Sequence, residues 1–184
     1  MTADPYDNPL GHPGEIEMRA LLPSRYHWTE SGLRSMMRAE ISPALARFIE
    51  SLPFFFIATA SAAGHCDTSF RGREYDASGN PLPAVRVVAA RELVFPDYPG
   101  NGLYTSLGNI RSNPHIGMLF IDFESRRRAR INGRAEIRRP DLDSQKLWPL
   151  AEALVHVTVE QAFGNCAARV PRMTMVPGSD WYRE

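Results

Sequence analysis

The sequence lacks the features that mark disulfide-rich, zinc-binding or membrane-spanning proteins. Its 184 residues include two cysteines, Cys66 and Cys166, which form no CxxC or other metal-ligand spacing, so neither a disulfide framework nor a zinc site is predicted. No apolar run approaches the roughly 18 residues of a transmembrane helix. The N-terminus carries acidic residues and prolines where a signal peptide has a basic start and an apolar run. We therefore expect a cytoplasmic protein in a reducing compartment.

The sequence also has no formal net charge and lacks several common catalytic and nucleotide-binding motifs. The 21 Lys and Arg residues balance the 21 Asp and Glu residues, which argues against a general nucleic-acid binder. The five histidines have no helical or strand pairing, so no metal site is predicted. The sequence contains neither the GxSxG turn of many hydrolases nor the GxGxxG turn of dinucleotide-binding folds. Recognition of any anion must therefore depend on local charge.

The chain has the length of one compact domain with a substantial core. Residues 1–14 contain three prolines and two glycines without periodicity, which predicts a surface arm. Leu33, Met36 and Met37 have the spacing of one helix face within residues 31–40. We therefore divide the chain into an N-terminal arm and helix, residues 1–40, and a main domain, residues 41–184.

The main domain begins with a helix and then changes to the period of strands. Ser42 is a suitable N-cap and Pro43 a suitable first residue for a helix that ends before Pro53. Strand-like stretches follow at residues 54–61, 66–71, 85–88, 92–95, 116–123, 128–138 and 154–159. Six or seven strands with short connections predict a mainly β fold, an antiparallel barrel with flanking helices.

The most informative segment runs from Phe95 to Gly102 (FPDYPGNG) and leads from a strand into a predicted short helix. Leu103, Leu107 and Ile110 have the spacing of this helix, and Asn113-Pro114 ends it. In this interpretation Asn101 caps the helix. A helix start preceded by glycine presents free backbone N–H groups, and these groups together with the helix dipole favour a bound phosphate. The alternative is an ordinary capped helix after a tight turn.

Two strands carry polar side chains in a two-residue period. Asp67 and Ser69 share one face of their strand, where they either reach a ligand or form hydrogen bonds at the strand end. In the later strand, Arg128, Arg130 and Arg134 share the face opposite its apolar residues. Such a row is either a solvated surface or a set of counter-ions for a phosphate or a partner subunit.

Several stretches together resemble the FMN-binding split-barrel family related to pyridoxamine 5'-phosphate oxidase. They are PFFFIATAS, DTSFRG, LVFPDYPGN followed by LYTSLGNIRSNPHIGMLFIDFE, RARINGRAEI and VTVEQAFGNCAARVPRM, and they cover most of residues 53–175. The resemblance implies a six-stranded antiparallel split barrel. It also implies a homodimer that holds FMN at its interface, with each FMN contacted by both chains.

The resemblance implies cofactor contacts at particular positions. Relatives often carry a basic residue where this chain has Gly102, so one phosphate contact is missing, and Arg71 is a candidate to replace it. The other implied contacts are Arg86, Asp97, Tyr98, Asn101, Ser106, Asn109 and Arg128 from one chain, and Asn165, Cys166 and Arg172 from the second.

The resemblance further implies an FMN-dependent oxidoreductase, in which the flavin carries the chemistry and no side chain acts as a nucleophile. The C-terminal MTMVPGSDWYRE lacks the Trp, Arg and His of true pyridoxamine 5'-phosphate oxidases, so the substrate is expected to be another small molecule. NAD(P)H or a deazaflavin is the expected electron donor. Two alternatives stay open: a non-catalytic module that stores or senses flavin, and a barrel that has lost the cofactor. No nucleic-acid or membrane partner is expected.

Overall fold

The protein is described here by a computed structural model that covers residues 11–22, 24 and 26–179. The chain divides into two compact units, Met1–Arg38 and Ala39–Glu184. The first unit contains helices α1 (Pro13–Leu21) and α2 (Glu30–Met36). Most of the predicted arm, residues 1–10, lies outside the described residues, and the end of that arm is the start of α1. This helix begins there because the His12 side chain accepts a hydrogen bond from the Gly14 amide and Pro13 suits the first helical position.

The second unit is built on seven antiparallel strands with helices beside them, which confirms the predicted mainly β class. The sheet has the order β2-β1-β5-β6-β7-β4-β3 and so one strand more than the six implied by the resemblance. Its elements are α3 (Pro43–Glu50), β1 (Phe54–Ala60), β2 (Cys66–Gly72), β3 (Arg86–Ala89), β4 (Glu92–Asp97), α4 (Thr105–Ser112), β5 (His115–Asp122), β6 (Arg127–Arg138), α5 (Leu142–Leu147) and β7 (Ala153–Asn165).

The helices start where the sequence offers caps. The Ser42 hydroxyl accepts a hydrogen bond from the Leu45 amide at 3.2 Å, as predicted, and α3 then buries Phe48 and Ile49 in the core. The Asp141 carboxylate accepts the Ser144 amide at 2.9 Å and starts α5, a helix that the sequence analysis did not predict. Within the described residues, no helix is long and apolar enough to span a membrane.

The sheet curls so that strands far apart in its order meet across the core. Three strands separate β1 from β4 in the sheet, yet the rings of Phe55 and Phe95 lie 5.3 Å apart, edge to face. Phe120 of β5 stacks on Phe55 at 5.0 Å. All three side chains are at most 1% exposed, and such aromatic pairs stabilise a core beyond their burial alone. The inward face of the sheet therefore encloses one apolar core.

Strand β2 is one edge of this curled sheet. It pairs with β1 on one side only, and its other side is joined to β4 through the ion pair of Arg71 with Asp97. The register places Asp67, Ser69 and Arg71 opposite the buried residues of β1, so these polar side chains point to the inner side of the sheet. Because the inner face of β2 is polar, it is suited to bind a polar ligand rather than to pack in the apolar core.

Candidate functional site

A polar groove lies between β2 and the segment that connects β4 to α4. Its volume is about 390 Å³, within the range of small-molecule sites, which runs from about 300 to 1,000 Å³. The groove brings together five of the eleven residues that the sequence analysis proposed as cofactor contacts, namely Arg71, Asp97, Tyr98, Asn101 and Ser106. Asp67 and Ser69 of β2 and the glycines of the connecting segment also line it.

Arg71 and Asp97 form the charged centre of the groove. Their side chains are 17% and 8% exposed, and Nη1 of Arg71 donates to Oδ1 of Asp97. Nε of Arg71 is buried and has no hydrogen-bond partner among the described residues. An unsatisfied buried donor on a cation is costly, so this guanidinium is suited to an additional anionic partner in the groove.

The start of α4 supplies further donors. The predicted cap at Asn101 is wrong: the N-cap is Tyr104, which makes no side-chain capping bond, while Oδ1 of Asn101 accepts the Leu103 amide at 3.0 Å. The helix begins later than predicted because Gly102 and Tyr104 take left-handed φ angles of 74° and 50°, which form a turn before it. The first amides of α4 thus lack a side-chain cap, and uncapped amides at the positive end of the helix dipole favour anions.

Ser106 and Asn109 of α4 have different surroundings. The Ser106 hydroxyl donates to Oδ2 of Asp67 at 2.8 Å, on the wall of the groove. The Asn109 amide is turned into the interior, where it donates to the Thr59 hydroxyl at 3.1 Å in a buried contact. Asn109 therefore fixes α4 to β1 and does not line the groove. Asp67, in contrast, is one of the residues that line it. The two-residue period that Asp67 shares with Ser69 was the sequence feature that pointed to this strand face.

Tyr98 lines the groove and also packs against the apolar cluster of Val94, Trp148 and Leu154. Its buried hydroxyl has no partner among the described residues. Burial, with a smaller contribution from the charge of Glu74, raises the pKa of Tyr98 well above its ordinary value. The phenol therefore stays protonated near neutral pH and is a hydrogen-bond donor.

Three other predicted residues form a separate cluster where β6 and β7 pair. Arg128 lies opposite Asn165, and Nε of Arg128 and Oδ1 of Asn165 are buried without partners among the described residues. Cys166 follows directly and is exposed. A hydrogen bond from the Ala168 amide, together with the Arg128 guanidinium, holds the pKa of the Cys166 thiol below its usual value.

The remaining predicted residues lie elsewhere on the protomer. Arg86 of β3 faces Glu50 of α3, with Nη1 and Oε1 3.6 Å apart. Arg172 is exposed in the segment after β7. The residues assigned by the resemblance therefore fall into the groove, the cluster at β6 and β7, and isolated positions.

Comparison with known proteins identifies related sequences and folds. The family model described as pyridoxamine 5'-phosphate oxidase matches residues 41–178. A single-residue variant of HupZ from Group A Streptococcus has 19% identity over 68% of this chain and 99% of that one, with a TM-score of 0.51. A proposed pyridoxamine 5'-phosphate oxidase from Lactobacillus delbrueckii has 15% identity over 70% of this chain and 98% of that one, with a TM-score of 0.51. The search of curated proteins gave no match.

Proposed function

Because the chain belongs to the pyridoxamine 5'-phosphate oxidase family, we propose that it binds FMN in the groove beside β2 and acts as an FMN-dependent oxidoreductase. The observation that carries this proposal is the uncapped start of α4 next to the guanidinium of Arg71. Backbone amides and an arginine that line the same groove are the donors that a phosphate monoester requires. The groove therefore fits the phosphate end of FMN.

The groove residues have distinct tasks in this proposal. Asp97 holds Arg71 by their ion pair, so that the guanidinium faces the groove in one orientation. Tyr98, whose phenol is protonated at neutral pH, donates a hydrogen bond to the ligand. FMN, when bound, supplies hydride or electron transfer, and the protein supplies binding, orientation and exclusion of water. The substrate is a small molecule other than pyridoxamine 5'-phosphate, and NAD(P)H or a reduced deazaflavin is the electron donor.

A second protomer completes the site in this proposal. The groove of one protomer does not contain Arg86, Arg128, Asn165, Cys166 or Arg172. The buried, unpartnered Nε of Arg128 and Oδ1 of Asn165 are suited to a ligand held between two copies of the chain. We therefore propose a homodimer in which this cluster contacts the flavin bound mainly by the other protomer.

Removing Arg71 tests the phosphate end of the site. We expect Arg71→Ala to weaken FMN binding by about 10- to 100-fold, since a hydrogen bond to a charged group contributes about 1.5–3 kcal/mol. Binding is measured by quenching of flavin fluorescence. Riboflavin, which has no phosphate, is the matched control ligand, and Arg71→Ala should bind it nearly as tightly as the wild type does. The control variant is Arg139→Ala, on an exposed residue outside the groove, which should change the affinity for neither flavin. Equal losses for FMN and riboflavin would place Arg71 away from the phosphate.

Turnover is tested by stopped-flow mixing of the flavin-loaded protein with NADPH, NADH or a reduced deazaflavin. Bleaching of the flavin absorbance within seconds supports an oxidoreductase. A protein that keeps its flavin oxidised with every donor is instead a module that stores or senses flavin.

A further inference from the structure

Asp67 occupies an unexpected position for a carboxylate in a phosphate site. It lies on the inner side of β2, opposite the buried Thr59, and lines the groove near the start of α4. The charged residues on the described groove wall are Asp67, Asp97 and Arg71. Since Arg71 is paired with Asp97, Asp67 is the groove carboxylate that lacks a cationic partner among these residues.

Asp67 opposes a bound phosphate in two ways. Its Oδ2 accepts the hydroxyl of Ser106, the second residue of α4, at 2.8 Å, so this hydroxyl must leave Asp67 before it can donate to a phosphate at the helix start. Its negative charge also lies close to that position, where two like charges repel. Both effects act on the phosphate end of a ligand, and neither acts on an uncharged ligand that lacks this group.

We infer that Asp67 determines charge selectivity in the groove: it lowers the affinity for dianionic FMN relative to uncharged riboflavin. This inference rests on the proposed function and names the residue that limits how tightly the phosphate is held. Asp67 is thus a specificity-determining residue rather than a contact that stabilises the phosphate. The competing role is purely structural, in which Asp67 holds α4 against β2 through Ser106.

The substitution Asp67→Asn separates the two roles. Asparagine keeps the size of the side chain and an oxygen that accepts the Ser106 hydroxyl, but it removes the charge. Dissociation constants for FMN and riboflavin are measured by fluorescence quenching for the full-length wild type and the variant, each freed of flavin. The control is Asp143→Asn, the same change of charge on an exposed residue of α5 that does not line the groove.

We expect Asp67→Asn to bind FMN about 3- to 10-fold more tightly than the wild type at low ionic strength, with the gain reduced by salt. Riboflavin affinity should change by less than about twofold on the same electrostatic argument, and Asp143→Asn should match the wild type for both flavins. An unchanged FMN affinity would leave Asp67 with a structural role and overturn the inference, and a weaker one would make Asp67 a ligand contact. A wild type that binds neither flavin would contradict both the proposed function and this inference. An unchanged or a weaker FMN affinity of Asp67→Asn would contradict the inference alone.

Discussion

Gly102 shows how one residue shapes the groove. Its φ angle of +74° lies in the left-handed region that residues with a Cβ rarely adopt. The space around it is open, since no atom of the described residues beyond its chain neighbours lies within 4 Å of the position that a Cβ would take. The backbone angle rather than packing therefore requires glycine. A residue with a Cβ at this position would take the same strained angle in this chain.

Replacing this glycine is expected to destabilise the fold. Gly102→Ala should lower the free energy of unfolding by about 1 kcal/mol, because L-residues in the left-handed region cost about 1–2 kcal/mol. The matched control is Gly100→Ala, which has equally open surroundings and no left-handed φ, and it should be neutral or slightly stabilising. Urea unfolding monitored by circular dichroism gives both values. Equal effects at the two positions would show that the turn does not require glycine.

At the residue scale, the sequence predicted the composition of the groove better than its geometry. Arg71, Asp97 and Ser106 were proposed and do line it. Asn101 was expected to cap α4, but the left-handed turn at Gly102 and Tyr104 moves the helix start. Backbone angles of this kind depend on the packing of the whole segment, and no local pattern in the sequence specifies them.

Helix α4 is the element that links the core to the groove. Its buried Asn109 donates to Thr59 of β1 at 3.1 Å, and Ile110 packs into the core. On the other side, Ser106 reaches Asp67 on the groove wall. Because one short helix carries both sets of contacts, the position of the proposed phosphate site depends on the way α4 is fixed to β1.

Breaking the buried bond of α4 should therefore affect stability. Asn109→Ala leaves the Thr59 hydroxyl without its partner, and we expect a loss of about 1–3 kcal/mol in the free energy of unfolding. Thr59→Val removes the other partner, and a double-mutant cycle isolates the pair. A coupling energy of about 1 kcal/mol is expected for residues in direct contact. Strictly additive losses in thermal or urea unfolding would contradict the pairing.

At the element scale, segments with a clear apolar period were predicted, and segments without one were missed. The alternation in β6 is clear because one face is buried and the other solvated over twelve residues. Helices α1 and α5 were missed. They have nine and six residues, and neither contains a buried residue, so they lack an apolar stripe and depend on capping by His12 and Asp141. Capping signals are too brief to stand out without such a stripe.

The second unit is built on one curled sheet with β2 at one of its edges. Phe55 and Phe95 meet across the core, while an ion pair rather than a strand ladder joins β2 to β4. The order of strands and this curl arise from contacts between distant residues, which the local sequence pattern does not specify. The resemblance to a known family implied a split barrel, and the family match and the sheet agree with that class.

Dimer formation is a prediction about the whole molecule. The chain mass is 20.7 kDa, so light scattering after size-exclusion chromatography should give twice that mass for the flavin-loaded protein. Substitution of Arg128 by Ala should weaken FMN binding without changing the groove residues of the same protomer. A monomeric mass for a protein that retains flavin would contradict a site shared between two copies.

The central claim is that the groove beside β2 holds FMN. The most direct test is mass spectrometry of the small molecule released when the purified protein is denatured. The account predicts FMN, at about one molecule per chain, and a marked loss of this ligand from Arg71→Ala purified in parallel. Release of heme or of another non-flavin ligand, or a protein that neither carries FMN nor takes it up when it is added, would contradict the account.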